Sequence, residues 1–598
     1  MARTHAAAEE RRLAAEDRRV AAEERKVALE ERKVSNEERT RLLEWEKHLF
    51  FLDTTNLNVA QKEYVNLAQE EVLIQKRSMV RAMGGGGLGA MGGGGLGAMG
   101  GGGLGAMGGG GLGAMGGFGE MVVEPLNSPV LTTVLAFLLV VITLLVSTRR
   151  SSSALRLPPS PRGLPVVGHL HLLGSLPHRS LRSLAASHGP VMHLRLGRVP
   201  AVVASSAAAA EEAMKTRDLD FAGRPRLLMV DRFYYGTGGI GFAPYGDHWR
   251  QARRVCAAHM LSARRVASLG RVRAQEAAAL VGRVRRAGSG VVNLSDNLVV
   301  YSNAVISRCT LGDADCGVEG GGARLRKAFG EMEELLGTVP MGETVPWLGW
   351  VDTVTGLERR ARRVFQEMDG LLERLGTDSI KSIILDVLAA ATDSTFALLE
   401  WAMAELINHP HEMRKLQAEV RAAVSPGAGA VVTEAHLPHL PYLKAVINET
   451  LRLHPPSPLL LPRETLEDTR LLGHDVPAGT RVLINAWAIG RDPATWGPRA
   501  EEFAPERFVG YGGLGGAGQD FSFLPFGAGR RGCPGVEFAM LSNELALASL
   551  VHGFDWELPG GRAPPVDMSE LYGLSVCLKA PLLLAAKPWS SMDMDGVE

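Results

Sequence analysis

Residues 166–598 predict a mainly α-helical fold with small β-sheets, on two observations. Apolar residues recur at helical spacing over 180–188, 263–286, 325–336, 382–408 and 441–453. Strand candidates are few and short, as at 191–196 and 482–486. The full chain has 598 residues, 46% of them hydrophobic, which is enough for a large core and more than one ordinary domain. Its 65 Lys plus Arg balance 65 Asp plus Glu, so no global charge points to nucleic acid. Cys256, Cys309, Cys316, Cys533 and Cys577 are odd in number and widely spaced. That is neither a disulfide framework nor a zinc pattern, and it suits a reducing compartment.

Four regions divide the chain before and around this body. Residues 1–82 form a highly charged helical extension in which Leu13, Val20, Val27 and Val34 recur every seven positions. The apolar seam is one residue wide, so a weak coiled coil and a solvated single helix held by Glu–Arg pairs both remain open. Residues 83–120 repeat Met-Gly-Gly-Gly-Gly-Leu-Gly-Ala and read as a flexible linker, because so much glycine cannot offset the entropy of ordering. Residues 121–150 hold an apolar run, 130–146, followed by Arg149, Arg150 and Arg156. The run is just long enough to span hydrocarbon, and the arginines place its C-terminal side in the cytosol. A cleaved signal peptide is the alternative, but no small-x-small cleavage site stands out. Residues 151–165 carry Pro158, Pro159, Pro161 and Pro165, a stiff hinge between anchor and body.

The chemistry is concentrated in a loop near the C-terminus. Residues 526–535 read Phe-Gly-Ala-Gly-Arg-Arg-Gly-Cys-Pro-Gly and fit F-x-x-G-x-R-x-C-x-G through Phe526, Gly529, Arg531, Cys533 and Gly535. A thiolate in a glycine-rich loop suits a haem iron, since the glycines let peptide N–H groups approach the sulfur. The bland alternative is a surface turn with an incidental cysteine. Upstream, Ala390-Ala391-Thr392-Asp393-Ser394-Thr395 sits inside a long apolar helical stretch. An acid followed by an alcohol at mid-helix competes with backbone hydrogen bonds, so it needs a use. Glu449 and Arg452 are spaced to face each other on a helix, and Trp249 and Arg253 likewise face the same way. No Walker-type loop, dinucleotide fingerprint or flavin segment occurs, so electrons must come from a separate protein.

Taken in order, these motifs resemble those of the cytochrome P450 haem-thiolate monooxygenases of the large plant microsomal class, over about residues 121–598. The resemblance implies the P450 fold, haem b as cofactor and Cys533 as its iron ligand. It implies that Trp249 and Arg253 grip a haem propionate, with Arg463 and Arg531 as further propionate partners. Glu449, Arg452 and Arg507 would form a buried structural triad. Asp393 and Ser394 would serve oxygen activation within a local helix widening, Asp393 connecting to a proton path. Ala391 stands where glycine is usual and Ser394 where threonine is usual, which puts coupling in doubt. Segments 226–240, 383–388 and 457–461 should line the substrate pocket, and Leu459, Leu460 and Leu461 suggest an apolar one. The expected reaction inserts one atom of O2 into a small apolar secondary metabolite. Electrons would come from NADPH through a membrane reductase, and the expected site is the endoplasmic reticulum with the catalytic body cytosolic. An O2-independent haem-thiolate isomerase or dehydratase is the rival, as is an interaction protein with an inert catalytic body. Residues 42–77 resemble helical accessory segments of plant transposon-related and transcription-factor-associated proteins.

One departure concerns length. From Phe365 the chain enters the oxygen-activation helix near Ile380 almost at once, with Gly376 and Thr377 nearly all that intervenes. The family places the rest of one helix, another whole helix and a loop there. A mis-joined gene explains both this gap and the foreign N-terminal part, and poor folding or weak haem retention is the expected consequence.

Overall fold

The computed structural model describes residues 155–236, 239–288, 290–312, 321–372, 378–424, 431–511 and 520–589. The expected extension, linker and anchor at 1–150 lie outside them. Within them, most elements match the periodicity and differ at their ends. Helix α1 (Pro177–His188) starts on a proline at its first position, where the missing N–H costs nothing. Strands β1 (Val191–Leu196) and β2 (Val199–Ala204) form the antiparallel hairpin that follows. Helix α2 (Asp247–Val255) carries the Trp249/Arg253 pair.

The stretch 263–286, expected as one helix, is two. Leu269 leaves helical angles at φ −89°, ψ 0°, and α3 (Gly270–Arg286) begins after it. Gly270 allows the break, since a Cβ there would lie 3.1 Å from the Glu434 carboxylate. Strand β3 (Val291–Asn293) leads into α4 (Leu294–Leu311), capped by the Asn293 side chain on the Asp296 N–H. Helices α5 (Gly321–Gly337) and α6 (Leu357–Leu372) pack together and lead to α7 (Asp378–Asn408), which is 31 residues long. Only residues 373–377 separate α6 from α7.

Helix α7 is the spine of the body. It packs most extensively on α4 and also meets α8 (Pro410–Ala423), α9 (Pro441–Leu453) and α10 (Val536–Gly553). Among the described residues it alone is long and apolar enough to cross a membrane, yet its apolar residues are spent on the protein core. Two further strands, β4 (Arg463–Glu464) and β5 (Arg481–Ile484), complete a four-stranded sheet in the order β1-β2-β5-β4, with β2 and β5 parallel. The expected strand 482–486 ends two residues early because Asn485 caps a helical turn, Ala486–Ile489, through the Ala488 N–H. Small sheets and a helical core therefore frame an interior cavity.

Candidate active site

The loop 526–535 forms the floor of that cavity. It is held by the Cys533 N–H donating to the Phe526 carbonyl at 2.9 Å, and by Gly527 and Gly529 at φ +65° and +69°. At Gly529 a Cβ would sit 2.2 Å from the Met214 carbonyl oxygen, so only glycine fits. Cys533 has free surface, and that surface opens on the cavity deep inside the protein. The Gly535 N–H points at its Sγ over 3.4 Å. Burial pushes the thiol's pKa up, opposed by the Gly535 N–H and the Arg253 charge. The cavity leaves about 360 Å³ open to the centre of a water molecule. Phe526, Leu460, Leu461 and Val387 supply apolar wall.

Five arginines line the same cavity: Arg224, Arg253, Arg265, Arg463 and Arg531. Burial first, then Arg463 and Arg253, push Arg531 down to about 9. Arg224 and Arg463 are also lowered, mainly by burial. Their N–H groups reach mostly backbone carbonyls. Arg531 donates to Ala222 at 2.8 Å and Ala243 at 2.7 Å, and Arg463 to Ala528 at 2.9 Å. Arg253 donates to Gly532 at 2.6 Å. Arg531 Nη1 is buried without a partner. Apart from Asp218, 3.4 Å from Arg463, few opposite charges meet this cluster, and clustered cations with an unpartnered buried donor suit an anionic ligand, because opposite charge relieves their repulsion. A planar group carrying two carboxylates and an iron to meet Cys533 answers both needs, so the residues fit haem.

Trp249 is placed differently from the expectation. Its indole N–H, expected at a propionate, donates to the Ile240 carbonyl at 3.0 Å, with the Arg531 guanidinium 4.3 Å over its ring. The expected helix widening at 390–395 is also corrected. Helix α7 runs unbroken through it, and Ser394 Oγ donates to the Ala390 carbonyl at 2.7 Å. A hydroxyl that bonds one turn back, beside an Ala391 that adds a Cβ where glycine was usual, leaves the ladder intact. Ser394 faces the cavity. Asp393 bonds instead to Ser575 and to the carboxyl of Glu333 on α5, and burial raises its pKa. Glu333, itself buried, is raised well above the ordinary range, by burial and then by Asp393.

Behind the loop, Arg452 grips Glu449 through two bonds of 2.7 Å, both side chains having no exposed surface. Arg507 Nε lies 3.4 Å from Glu449 Oε1, so the three expected partners meet, but Arg507 is 20% exposed and only Glu449 and Arg452 are buried as expected. His454 bonds Glu405 at 2.7 Å and stacks on Trp401, a structural role. Segments 226–240, 383–388 and 457–461 each reach the cavity, through Ile240, Asp386 and Leu460 among others. Leu459 does not line it. It is buried with Leu181 and Met192 against the four-stranded sheet. Sequence reasoning missed Arg224, Asp386 and Glu333. A buried charge among apolar neighbours was the available signal, but nothing in one sequence tells a buried charge from a surface one.

The model of the family described as Cytochrome P450 matches residues 158–375 and 357–584. This chain belongs to the cytochrome P450 family. (+)-Menthofuran synthase of Mentha piperita is 44% identical, over 76% of this chain and 98% of that protein. Cytochrome P450 736A117 of Prunus mume is 42% identical, over 77% of this chain and 96% of its own length. Among solved structures, a zebra fish cytochrome P450 with progesterone has a TM-score of 0.59 at 26% identity. It covers 69% of this chain and 99% of that one. The chain is thus a P450 monooxygenase, an enzyme of haem iron that uses O2, a redox partner and a small substrate. The menthofuran synthase alignment runs over 494 positions, whereas 76% of 598 residues is about 454, so about 40 positions have no residue here. The family match itself breaks into two pieces at 357–375, next to the short passage from α6 to α7.

Proposed function

We propose that this P450 acts on a small apolar secondary metabolite, with Cys533 as the thiolate that would bind the haem iron. The observation that carries this reading is a cavity with Cys533 in its floor and five arginines, among them Arg224, Arg253, Arg463 and Arg531, on its wall. Haem, when bound, supplies activation of O2 with electrons delivered from outside the chain. Around it this chain's residues bind, orient and move protons. Arg531, with its spare Nη1, and Arg463 and Arg253 hold the two propionates. Trp249 supports them indirectly, by packing its ring under Arg531. Leu460 and Leu461 hold the substrate by apolar contact and exclude water. The Ser394 hydroxyl stands at the cavity wall to hold water or O2, and the Asp393–Glu333 pair behind it stores a proton within the protein. Glu449, Arg452 and Arg507 fix the layer behind the thiolate loop.

The electron donor in this reading is a membrane-bound NADPH-dependent reductase, and the site of action is the endoplasmic reticulum surface, supported by the apolar run and the arginines that follow it. Product formation in microsomes should require NADPH and reductase. Turnover with a peroxide substrate alone would favour the isomerase rival. A second reading is favoured by the five residues between α6 and α7: a catalytically impaired product of a mis-joined gene. In that case the thiolate-bound haem spectrum would be weak until the missing stretch is restored.

A further inference from the structure

We propose that Asp386 is a positioning residue of the substrate pocket, holding the Ile240–Gly241 peptide against α7 and so fixing the spacing between that wall and the oxygen-activation segment. Asp386 lies on α7 two turns before Ser394, is 8% exposed and faces the cavity. Its Oδ2 accepts the Ile240 N–H at 2.8 Å and the Gly241 N–H at 2.7 Å. The Tyr234 hydroxyl, on another cavity-lining residue, bonds the same carboxyl group. The carbonyls of the two residues are used as well. Ile240 accepts from the Trp249 indole at 3.0 Å, and Gly241 from Arg224 Nε at 2.8 Å. Arg224 Nη1 then reaches the carbonyls of Leu461 and Pro462, each at 2.7 Å. All four polar backbone groups of Ile240 and Gly241 are therefore tied, to α7, to α2 and, through Arg224, to the neighbouring wall segment at 461–462.

The close approach has a sequence cost that identifies it as built. Gly239 sits at φ +58°, and a Cβ on it or on Gly241 would stand 3.1 Å from Asp386. Because its Oδ2 already accepts two N–H groups and Tyr234 bonds the group too, Asp386 serves as part of the wall and not as a counter-ion for a cationic substrate. Ile240, Gly241, Tyr234, Leu461 and Asp386 itself all line the cavity, so loosening the clamp changes pocket shape without touching the thiolate loop.

The inference rests on reading the cavity as the haem and substrate site, and the test separates the two. In the haem-loaded full chain, imidazole and 4-phenylimidazole are titrated by their Soret shifts. Imidazole needs only the iron, whereas the phenyl group must fit the wall. Asp386→Ala should weaken 4-phenylimidazole about ten-fold or more and imidazole less than about two-fold. Asp386→Asn, whose amide oxygen can still accept both N–H groups, should stay within about three-fold of the parent. Hydrogen exchange at the Ile240 and Gly241 amides should be about ten-fold faster in Asp386→Ala and near the parent rate in Asp386→Asn. Should Asp386→Ala not fold, Gly241→Ala pushes the loop off an intact carboxylate and should give the same split between the two azoles. Equal losses for both azoles, or unchanged 4-phenylimidazole binding and amide exchange, would overturn the assignment. Absence of any azole-induced Soret shift in the parent would instead count against the haem reading, and amide exchange would still decide the clamp.

Discussion

Ser394 donates its hydroxyl proton to Ala390, one turn back, while its side chain faces the cavity. Serine lacks the methyl that restricts a threonine rotamer, so its hydroxyl is free to swing between the helix and the cavity. Ser394→Ala should therefore keep NADPH consumption while product falls and peroxide rises. Ser394→Thr should raise product formed per NADPH consumed. Collapse of substrate affinity with coupling intact would show that Ser394 binds substrate instead. At Arg452 the expected effect is on stability. Its guanidinium, itself buried, bonds Glu449 and the carbonyls of Gly490, Ala500 and Glu502. Arg452→Ala would leave the buried Glu449 carboxylate with only the Ala504 N–H and the more distant Arg507, at a cost of about 3–5 kcal/mol. Denaturant unfolding measures that loss, and a change below about 1 kcal/mol would mean the pair is dispensable. Residues of these kinds were legible because fixed spacing carries them: Cys533 among its glycines, Glu449 and Arg452 on one helical face. The Trp249 partner was not legible, because a free indole N–H takes whichever acceptor the fold brings near, and Ile240 is nine residues away in an irregular loop.

Periodicity located the elements themselves, and their ends were set by local chemistry that periodicity does not carry. The 263–286 helix breaks where Gly270 meets Glu434 from a distant segment, and the strand at 482–486 yields to an Asn485 cap. The expected widening of α7 fails because Ser394 and Ala391 both favour a closed helix. Leu459 was read as pocket because it adjoins Leu460, but Leu460 adopts φ +51° and the chain turns between them. Between α6 and α7 the consequence is larger. Ile380 on α7 is 47% exposed, and the curated relatives carry about 40 more aligned positions than this chain. Uncovered apolar surface costs about 25 cal/mol per Å², and several such side chains approach the roughly 5–15 kcal/mol by which a domain is stable. The written chain expressed from Met121 should hold haem substoichiometrically and melt below its relatives. Grafting a relative's intervening stretch between residues 372 and 378 should restore both. Full haem occupancy and a relative-like Tm without the graft would show that the short passage is harmless.

Across the molecule, several buried acids share one pH signature. Burial pushes Glu400 and Glu544 up to about 7 and Asp386 up to about 6, from ordinary values of 4.5 and 3.8. A folded-state pKa above the unfolded one favours the protonated form in the fold. That stability is complete below about pH 4 and is lost as pH rises through the folded values. Between pH 5 and 7.5 these groups should pull the melting temperature down. Glu400→Gln, which keeps an acceptor for the Leu578 N–H, should flatten part of the slope. An unchanged slope would mean that Glu400 is not the titrating group. At the same scale, the fold, the arginine-lined cavity and the Cys533 loop all support the proposed haem site. Its most direct test is the carbon-monoxide difference spectrum of the reduced protein. The fraction that holds haem should show the red-shifted Soret band of a thiolate-ligated iron, and Cys533→Ala should abolish that band. Haem bound without the band in the parent, or the same band in Cys533→Ala, would contradict the assignment of Cys533 as the ligand.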